Sequence, residues 1–367
     1  MDRRSFLVAG AALSFGGCAA TATGAAPTPL DANEQAQTIS ALRPPKRTRP
    51  VVAVLGSPDG AETTDLIVPY GVLRQSGLAE VRVVSPTTAA MPLMPALNIR
   101  PQMDLAAFDA HWPDGADYVI VPALHRDDDP TILSWIMAQS RKGALICGIC
   151  AGALVLSNAG LIDGRRATTH WYRIDELQRS NPNMRWVRDR RYVVDGGVAT
   201  TTGISASVPL SLTLVEAIGG ADAASALARQ LGVASWSAEH DSAAFRLSGS
   251  AVWTALRNRA AFWRQEQIGI PIADGVDEVT LALVSDVYSE TYRSSAFAIG
   301  QGIAQITTSQ GLELLPSSSS GMDRVIAPLT GALPMHALNA ALRDITARYG
   351  RATAEFAALN LEYPWRG

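Results

Sequence analysis

The feature that most constrains this chain is a series of short, wholly apolar β-type runs, each leading toward a stretch with helical periodicity. "RPVVAVLGS" (49–57), "EVRVVSP" (80–86), "ADYVIVPA" (116–123) and "ALICGI" (144–149) are rich in Val, Ile and Leu. A strand wetted on one face alternates polar with apolar residues, whereas a continuous apolar run has to be covered on both faces. "TDLIVPYGVLRQSG" and "PTILSWIMAQSRKG" carry apolar residues at helical spacing, the second closed by Gly143. The expectation is an α/β fold, a mostly parallel sheet sandwiched by helices, with its site at the carboxyl ends of the strands.

One of those strands ends in "ALICGICAGALVL" (144–156), which places Cys147 and Cys150 three apart. The pair could be a redox couple, half of a metal site, or a strand leading into a single nucleophilic thiol. In a thioredoxin-type motif the first cysteine leads the helix, but here the apolar run continues through Ile149. Zinc needs two further ligands at sensible spacing, and none stands out. Gly148-Ile149-Cys150-Ala151-Gly152 instead has the Gly-x-nucleophile-x-Gly form of a strand-to-helix elbow, with sulfur as the nucleophile. So sharp a turn strains its central residue and brings backbone close, which is why glycines flank it. The Cys150 thiol then sits at a helix N-terminus, which favours the thiolate, and the Ala151 N–H is available to a developing oxyanion. Its sulfur is expected to face an open cavity beside an acidic side chain. Cys147 reads as a small buried apolar residue.

After the elbow, "GALVLSNAGLIDG" reads as a helix, "RRATTHW" as a return to the sheet, and "RYVVDGGVATTTG" as two strands around Asp195-Gly196-Gly197. "SASVPLSLTLVEAIGG" and "ADAASALARQLGV" are helices, so a first domain spans 47–235. Residues 236–270 then read as connecting helices, with Trp253, Phe262 and Trp263 packing between the two parts of the chain. Beyond them, "VTLALVSDVYSETYRSSAFAIGQGIAQITTSQGLELLPS" (279–317) parallels 51–86, and "DRVIAPL" (323–329) parallels "DYVIVPA". Residues 271–367 are thus expected to be a truncated α/β half-repeat without a nucleophile, with chance similarity between βαβ units as the competing explanation.

The N-terminus pairs Arg3 and Arg4 ahead of an apolar run from Phe6 to Phe15, then small residues ending in Cys18. Residues 1–18 resemble a twin-arginine export signal, and the run is too short to span a bilayer. The Gly-Gly-Cys end also resembles a lipoprotein cleavage site with Cys18 as the lipidated residue, which would anchor an exported, periplasmic protein to the membrane. Residues 19–46, rich in Ala, Thr and Pro, read as a linker. A net charge of −3 gives no electrostatic footprint for nucleic acid.

The runs "GICAGALVLSNAGLIDGRRATTHW" and "DGGVATTTGISASVPLSLTLVEAIGG" resemble the ThiJ/PfpI family of the glutamine amidotransferase-like superfamily. The resemblance covers about 48–235, and its nearest branch comprises the N-terminal domains of AraC-type regulators and isonitrile hydratases. It implies a flavodoxin-like, glutamine amidotransferase-like fold with Cys150 as nucleophile, Asp65 as the acidic partner and His170 of "TTHW" nearby. Glu62 competes with Asp65, because the loop alignment shifts by a few residues. Taken without the family, Asp65 suits a helix N-cap and His170 a hydrogen-bonded structural residue. Where the family carries Pro-Gly-Gly for its oxyanion hole, this chain has Pro122-Ala123-Leu124, so Leu124 would supply the amide. No helix-turn-helix signature follows residue 235.

The implied activity is cysteine-dependent hydrolysis or hydration of a small C–N compound. A non-catalytic ligand-binding or oxidant-sensing module is the alternative, and a regulator without a DNA-binding domain is a third reading by family association alone. No cofactor or metal is indicated, since His111, His125, His240 and His336 have no ligand-like spacing. Many relatives dimerise, so a homodimer is one expectation and replacement of the partner by the half-repeat is another.

Overall fold

The computed structural model describes residues 26–300 and 302–367. The export and lipidation readings, Cys18 included, lie outside the described residues. Residues 26–46 are not the loose tether that their composition suggested. Helix α1 (Ala32–Ala41) is capped by the Asp31 carboxylate, which accepts the Asn33 N–H. Glu34 pairs with Arg190 at 2.8 Å, Leu42 is fully buried, and the Tyr118 hydroxyl donates to the Leu42 carbonyl. These anchors are long-range contacts, invisible to a compositional window.

The main sheet has seven strands: β1 (Val51–Leu55), β2 (Glu80–Ser85), β3 (Met103–Asp104), β4 (Tyr118–Val121), β5 (Leu145–Gly148), β6 (Tyr192–Asp195) and β7 (Val198–Thr201). Their order is β6-β7-β5-β4-β1-β2-β3. All neighbours are parallel except the β6–β7 hairpin, whose turn is made by Gly196 and Gly197 at positive φ. β1, β4 and β5 are buried at every position, as continuous apolar runs require. Helices α2 (Thr63–Ser76), α3 (Pro130–Arg141), α4 (Gly152–Asn158), α5 (Ser207–Gly219) and α6 (Ala221–Leu231) accompany the sheet. α4 is shorter than expected and stops before Gly160, which takes φ +70°. "RRATTHW" does not rejoin the main sheet. Only Arg166–Ala167 is extended, and it pairs with Arg185–Trp186 in a separate two-stranded sheet.

The rest of the chain begins with α7 (Gly249–Ala260) and then, where connecting helices were expected to continue, forms strand β8 (Glu266–Pro271). Next come α8 (Glu278–Ser289), β9 (Ser294–Ile299), β10 (Arg324–Val325), α9 (Pro334–Tyr349) and α10 (Arg351–Asn360). β8 pairs in parallel with β9 on one side and β10 on the other. This is the arrangement of β2-β1-β4, with α8 crossing over as α2 does. The register differs from the sequence comparison: the counterpart of β1 is β8, and residues 279–289 correspond to α2 rather than to a strand.

The two parts share one apolar core and a small mixed sheet, in which Glu313–Leu314 pairs with Leu97–Arg100. α2 and α8 pack directly on each other. Thr64 Oγ1 donates to Asp286 at 2.9 Å, and burial together with the neighbouring Glu62 charge pushes the Asp286 carboxyl well up. At Gly71 the helices approach so closely that a methyl group would lie 2.6 Å from Val279 Cγ2. Gly71→Ala is therefore expected to cost roughly 1–3 kcal/mol through overpacking. Adding Val279→Ala should relieve part of that loss, and strictly additive losses in urea unfolding would show that the two residues do not meet.

Candidate functional site

Cys150 ends the extension of β5 at φ +55°, one of four left-handed non-glycine residues among those described. Such a conformation costs a non-glycine residue roughly 1–3 kcal/mol, so the surroundings must impose it. Ile149 still donates to the Val121 carbonyl at 2.8 Å, continuing the β4–β5 ladder. Beyond it the ladder is replaced by threonines. The Cys150 N–H donates to Thr201 Oγ1 at 2.9 Å, and Thr169 Oγ1 donates to the Cys150 carbonyl at 3.0 Å. The N–H and carbonyl of Cys150 thus each have a buried partner from a different segment.

The flanking glycines are steric necessities. A side chain at Gly152 would run into the Val121 carbonyl oxygen, and one at Gly148 would lie 3.0 Å from the Ala153 nitrogen. Cys147, three residues earlier, lies inside β5 with no exposure, and burial pushes its thiol far above the usual range. The two cysteines are both buried and differ in backbone, Cys147 lying within the strand and Cys150 at the left-handed turn.

Asp65 is fully buried at the third position of α2, and its Oδ2 accepts the Ala123 N–H at 3.2 Å. It is not the N-cap. That place belongs to Glu62, whose carboxylate accepts the Asp65 N–H and lies next to Asp286 on α8. Of the two acidic candidates, Asp65 reaches the Val121–Ala123 segment, on which the elbow also rests, with its carboxylate, whereas Glu62 reaches it only through its backbone N–H at 2.8 Å. Leu124 is not among the left-handed residues, so the amide expected of it is presented without backbone strain.

The sulfur does not face open space as expected: Cys150 has 0% exposure. A cavity of about 330 Å³ lies beside it, lined by Leu124, Ala151, His170, Arg173, Glu290 and Tyr292 among others. The last two come from the C-terminal part of the chain. A larger cavity, about 590 Å³, lies among residues 27–29, 239–245 and 355–366 and includes none of the elbow residues.

His170 lines the smaller cavity and is held by backbone on both ring nitrogens. Nδ1 accepts the Tyr172 N–H at 3.2 Å, and Nε2 lies 2.9 Å from the Asn360 carbonyl oxygen. An amide can only donate and a carbonyl only accept, so this pattern assigns the proton to Nε2.

Asn360 belongs to a clamp that sequence reasoning missed. The Trp171 indole donates to the Leu359 carbonyl at 3.0 Å, and the Trp171 N–H donates to Glu362 Oε1 at 2.7 Å. The other Glu362 oxygen accepts the Gly203 N–H, and Ser205 donates to the Leu361 and Glu362 carbonyls. No local pattern in "AALNLEYPW" marks these residues, because their partners are more than 150 positions away. The threonines had a weak signal in the repeats of "ATTHW" and "VATTTG". Among the described residues, no group of three or more His, Cys, Asp or Glu is placed to hold a metal ion.

Residues 51–217 match the family model described as the DJ-1/PfpI family. Isonitrile hydratase of Pseudomonas putida is 32% identical over 171 residues, covering 46% of this chain and 72% of that protein. The chain belongs to the DJ-1/PfpI family. The HTH-type transcriptional regulator CdhR of Pseudomonas aeruginosa is 41% identical over 86 residues, and this chain spans 25% of that regulator's length. Among solved structures, DJ-1beta of Drosophila melanogaster is 25% identical and covers 51% of this chain and 100% of its own, with a TM-score of 0.46.

Two outcomes test this site. Gly152→Ala should lower the melting temperature far more than Gly148→Ala, because a Cβ at Gly152 would overlap the Val121 carbonyl oxygen while one at Gly148 would only touch backbone at 3.0 Å; equal effects would refute the elbow packing. Burial of Glu362 pushes its carboxyl up to about 7, against its backbone hydrogen bonds. A group whose folded pKa is raised stabilises the fold below its unfolded value, and that contribution is lost as pH rises toward 7. The melting temperature should fall between pH 4.5 and 7.5, and Glu362→Gln should flatten that slope whatever its absolute stability.

Proposed function

We propose that this protein is a cysteine-dependent enzyme that hydrates or hydrolyses a small C–N compound, with Cys150 as the attacking group. The observation that carries the reading is the left-handed backbone of Cys150, clamped between two glycines at a strand end and set beside a cavity. A cysteine that only filled the core would have no need of such strain, as Cys147 illustrates. The similarity to isonitrile hydratase supports the reaction class.

In this reading the Cys150 sulfur bonds to the carbon of an isonitrile, which takes up the thiol proton to give a thioimidate. With an amide it bonds to the carbonyl carbon, and the C–N bond breaks as the amine leaves with that proton to give a thioester. The Ala151 and Leu124 amides stabilise the charge that develops, Asp65 handles the proton, and His170 forms an ordered wall. Water then breaks the carbon–sulfur bond. Because the sulfur is buried, a substrate held in the cavity reaches it only when the packing around Leu124 and Ala151 yields. A lid motion of that kind would make opening, rather than chemistry, a candidate for the slow step.

The buried sulfur favours a second reading, in which the cavity binds a small ligand without turnover. Steady-state assays over a panel of small isonitriles and amides separate the two. The enzyme reading expects Cys150→Ala to lower kcat/KM at least 100-fold, with Cys147→Ala near wild type. Ligand binding at one per chain, with no turnover and with affinity retained in Cys150→Ala, would replace it with the binding reading.

A further inference from the structure

We infer that α7 and the turn after it form a docking face for an anionic lipid surface. Seven large apolar side chains are exposed among the described residues, and five of them fall between Leu247 and Trp263. Trp253 is 67% exposed, Phe262 72% and Trp263 69%. They were expected to pack between the two parts of the chain, and they do not. The inward face of α7, Ala251, Thr254, Ala255 and Asn258, packs on the C-terminal part alone. Asn258 donates to the Thr291 carbonyl and to Thr353 Oγ1, and Ala251 and Ala255 pack with Tyr292 and Phe356.

The outward face is the unusual one. Positions 253, 256, 257 and 260 follow one another at helical spacing and are all exposed. A surface helix gives that stripe to polar residues, but here it carries Trp253 and Leu256 and runs on into Phe262 and Trp263. Charge identifies the occupant. Between Asp241 and Glu266 stand the exposed Arg246, Arg257 and Arg264, and Arg259 with its Nη1 buried, with no acidic residue, although the whole chain is net negative. Aromatic rings beside arginines suit the zone where acyl chains meet phosphate headgroups, and each such cation adds about 1 kcal/mol at an anionic surface. No helix among the described residues is long and apolar enough to cross a membrane, so contact at this face would be peripheral.

The test is cosedimentation of the full chain with phosphatidylglycerol-containing vesicles and with phosphatidylcholine vesicles at low and high salt. The expected result is at least tenfold tighter binding to the anionic vesicles, weakened by salt. The combined Trp253→Ser, Phe262→Ser and Trp263→Ser variant should bind at least tenfold less, and Arg257→Gln with Arg264→Gln should remove the anionic preference. All five side chains are on the surface, so melting temperatures should stay near wild type. Comparison with the variants separates this face from any vesicle binding by residues 1–25. Undiminished binding by the triple variant, or no anionic preference in the wild type, overturns the proposal. So does a concentration-dependent dimer that the triple variant abolishes, which would give the face to a second copy. Shielding of the variant-sensitive tryptophan fluorescence from iodide in a vesicle-free monomer would give it to residues 1–25, and also overturns it.

Discussion

Most of the candidate site rests on one close approach, that of Gly152 to the Val121 carbonyl. With no room for a Cβ there, α4 starts directly against the end of β4, and Cys150 has to turn through a left-handed conformation to reach it. The strain is held by groups from three places: the β4 ladder, Thr201 on β7, and Thr169 in the loop after α4. A turn fixed from so many sides does not relax to a cheaper geometry, so the sulfur keeps its position relative to Asp65 and the cavity.

The C-terminal part acts on this centre without contributing a nucleophile. Its strands β9-β8-β10 follow the pattern of β2-β1-β4, and α8 packs on α2 across a contact that includes Thr64 and Asp286. Glu290, Tyr292 and Asn360 then line the cavity beside the elbow. The segment Leu359–Glu362 fixes the His170–Trp171 turn through backbone hydrogen bonds, and its carboxyl is buried enough to stay partly protonated near neutrality. Glu362 itself has φ +51°, so this tie, like the elbow, is held under local strain. The His170–Trp171 wall of the cavity and the segment Leu359–Glu362 are mechanically one unit.

Much of the first part was legible because its signals are local. Apolar runs gave the strands, Gly143 marked a helix end, and the glycines around Cys150 gave the elbow, whereas the stop of α4 before Gly160 was not read. Of the acidic candidates, spacing left Asp65 and Glu62 open, and hydrogen bonding separated them: Glu62 caps α2, while Asp65 holds the Ala123 amide. What failed involved long-range contacts. The helix at 32–41 looked like a linker, β8 looked like part of a connecting helix, and the tryptophans of α7 looked like packing residues, since hydrophobicity alone does not say which face of a helix meets the core.

The sequence alone determined the parallel α/β sheet, the strand-to-helix turn at Cys150 and the place of Cys147 inside the strand before it. These follow from periodicity and from the steric freedom of glycine, which act over a few residues. Only the tertiary structure decided that the sulfur is covered, that His170 is tied to Asn360, and that aromatic residues of α7 face outward. Those outcomes depend on how segments more than a hundred residues apart pack and exchange hydrogen bonds, and no local pattern encodes such a pairing.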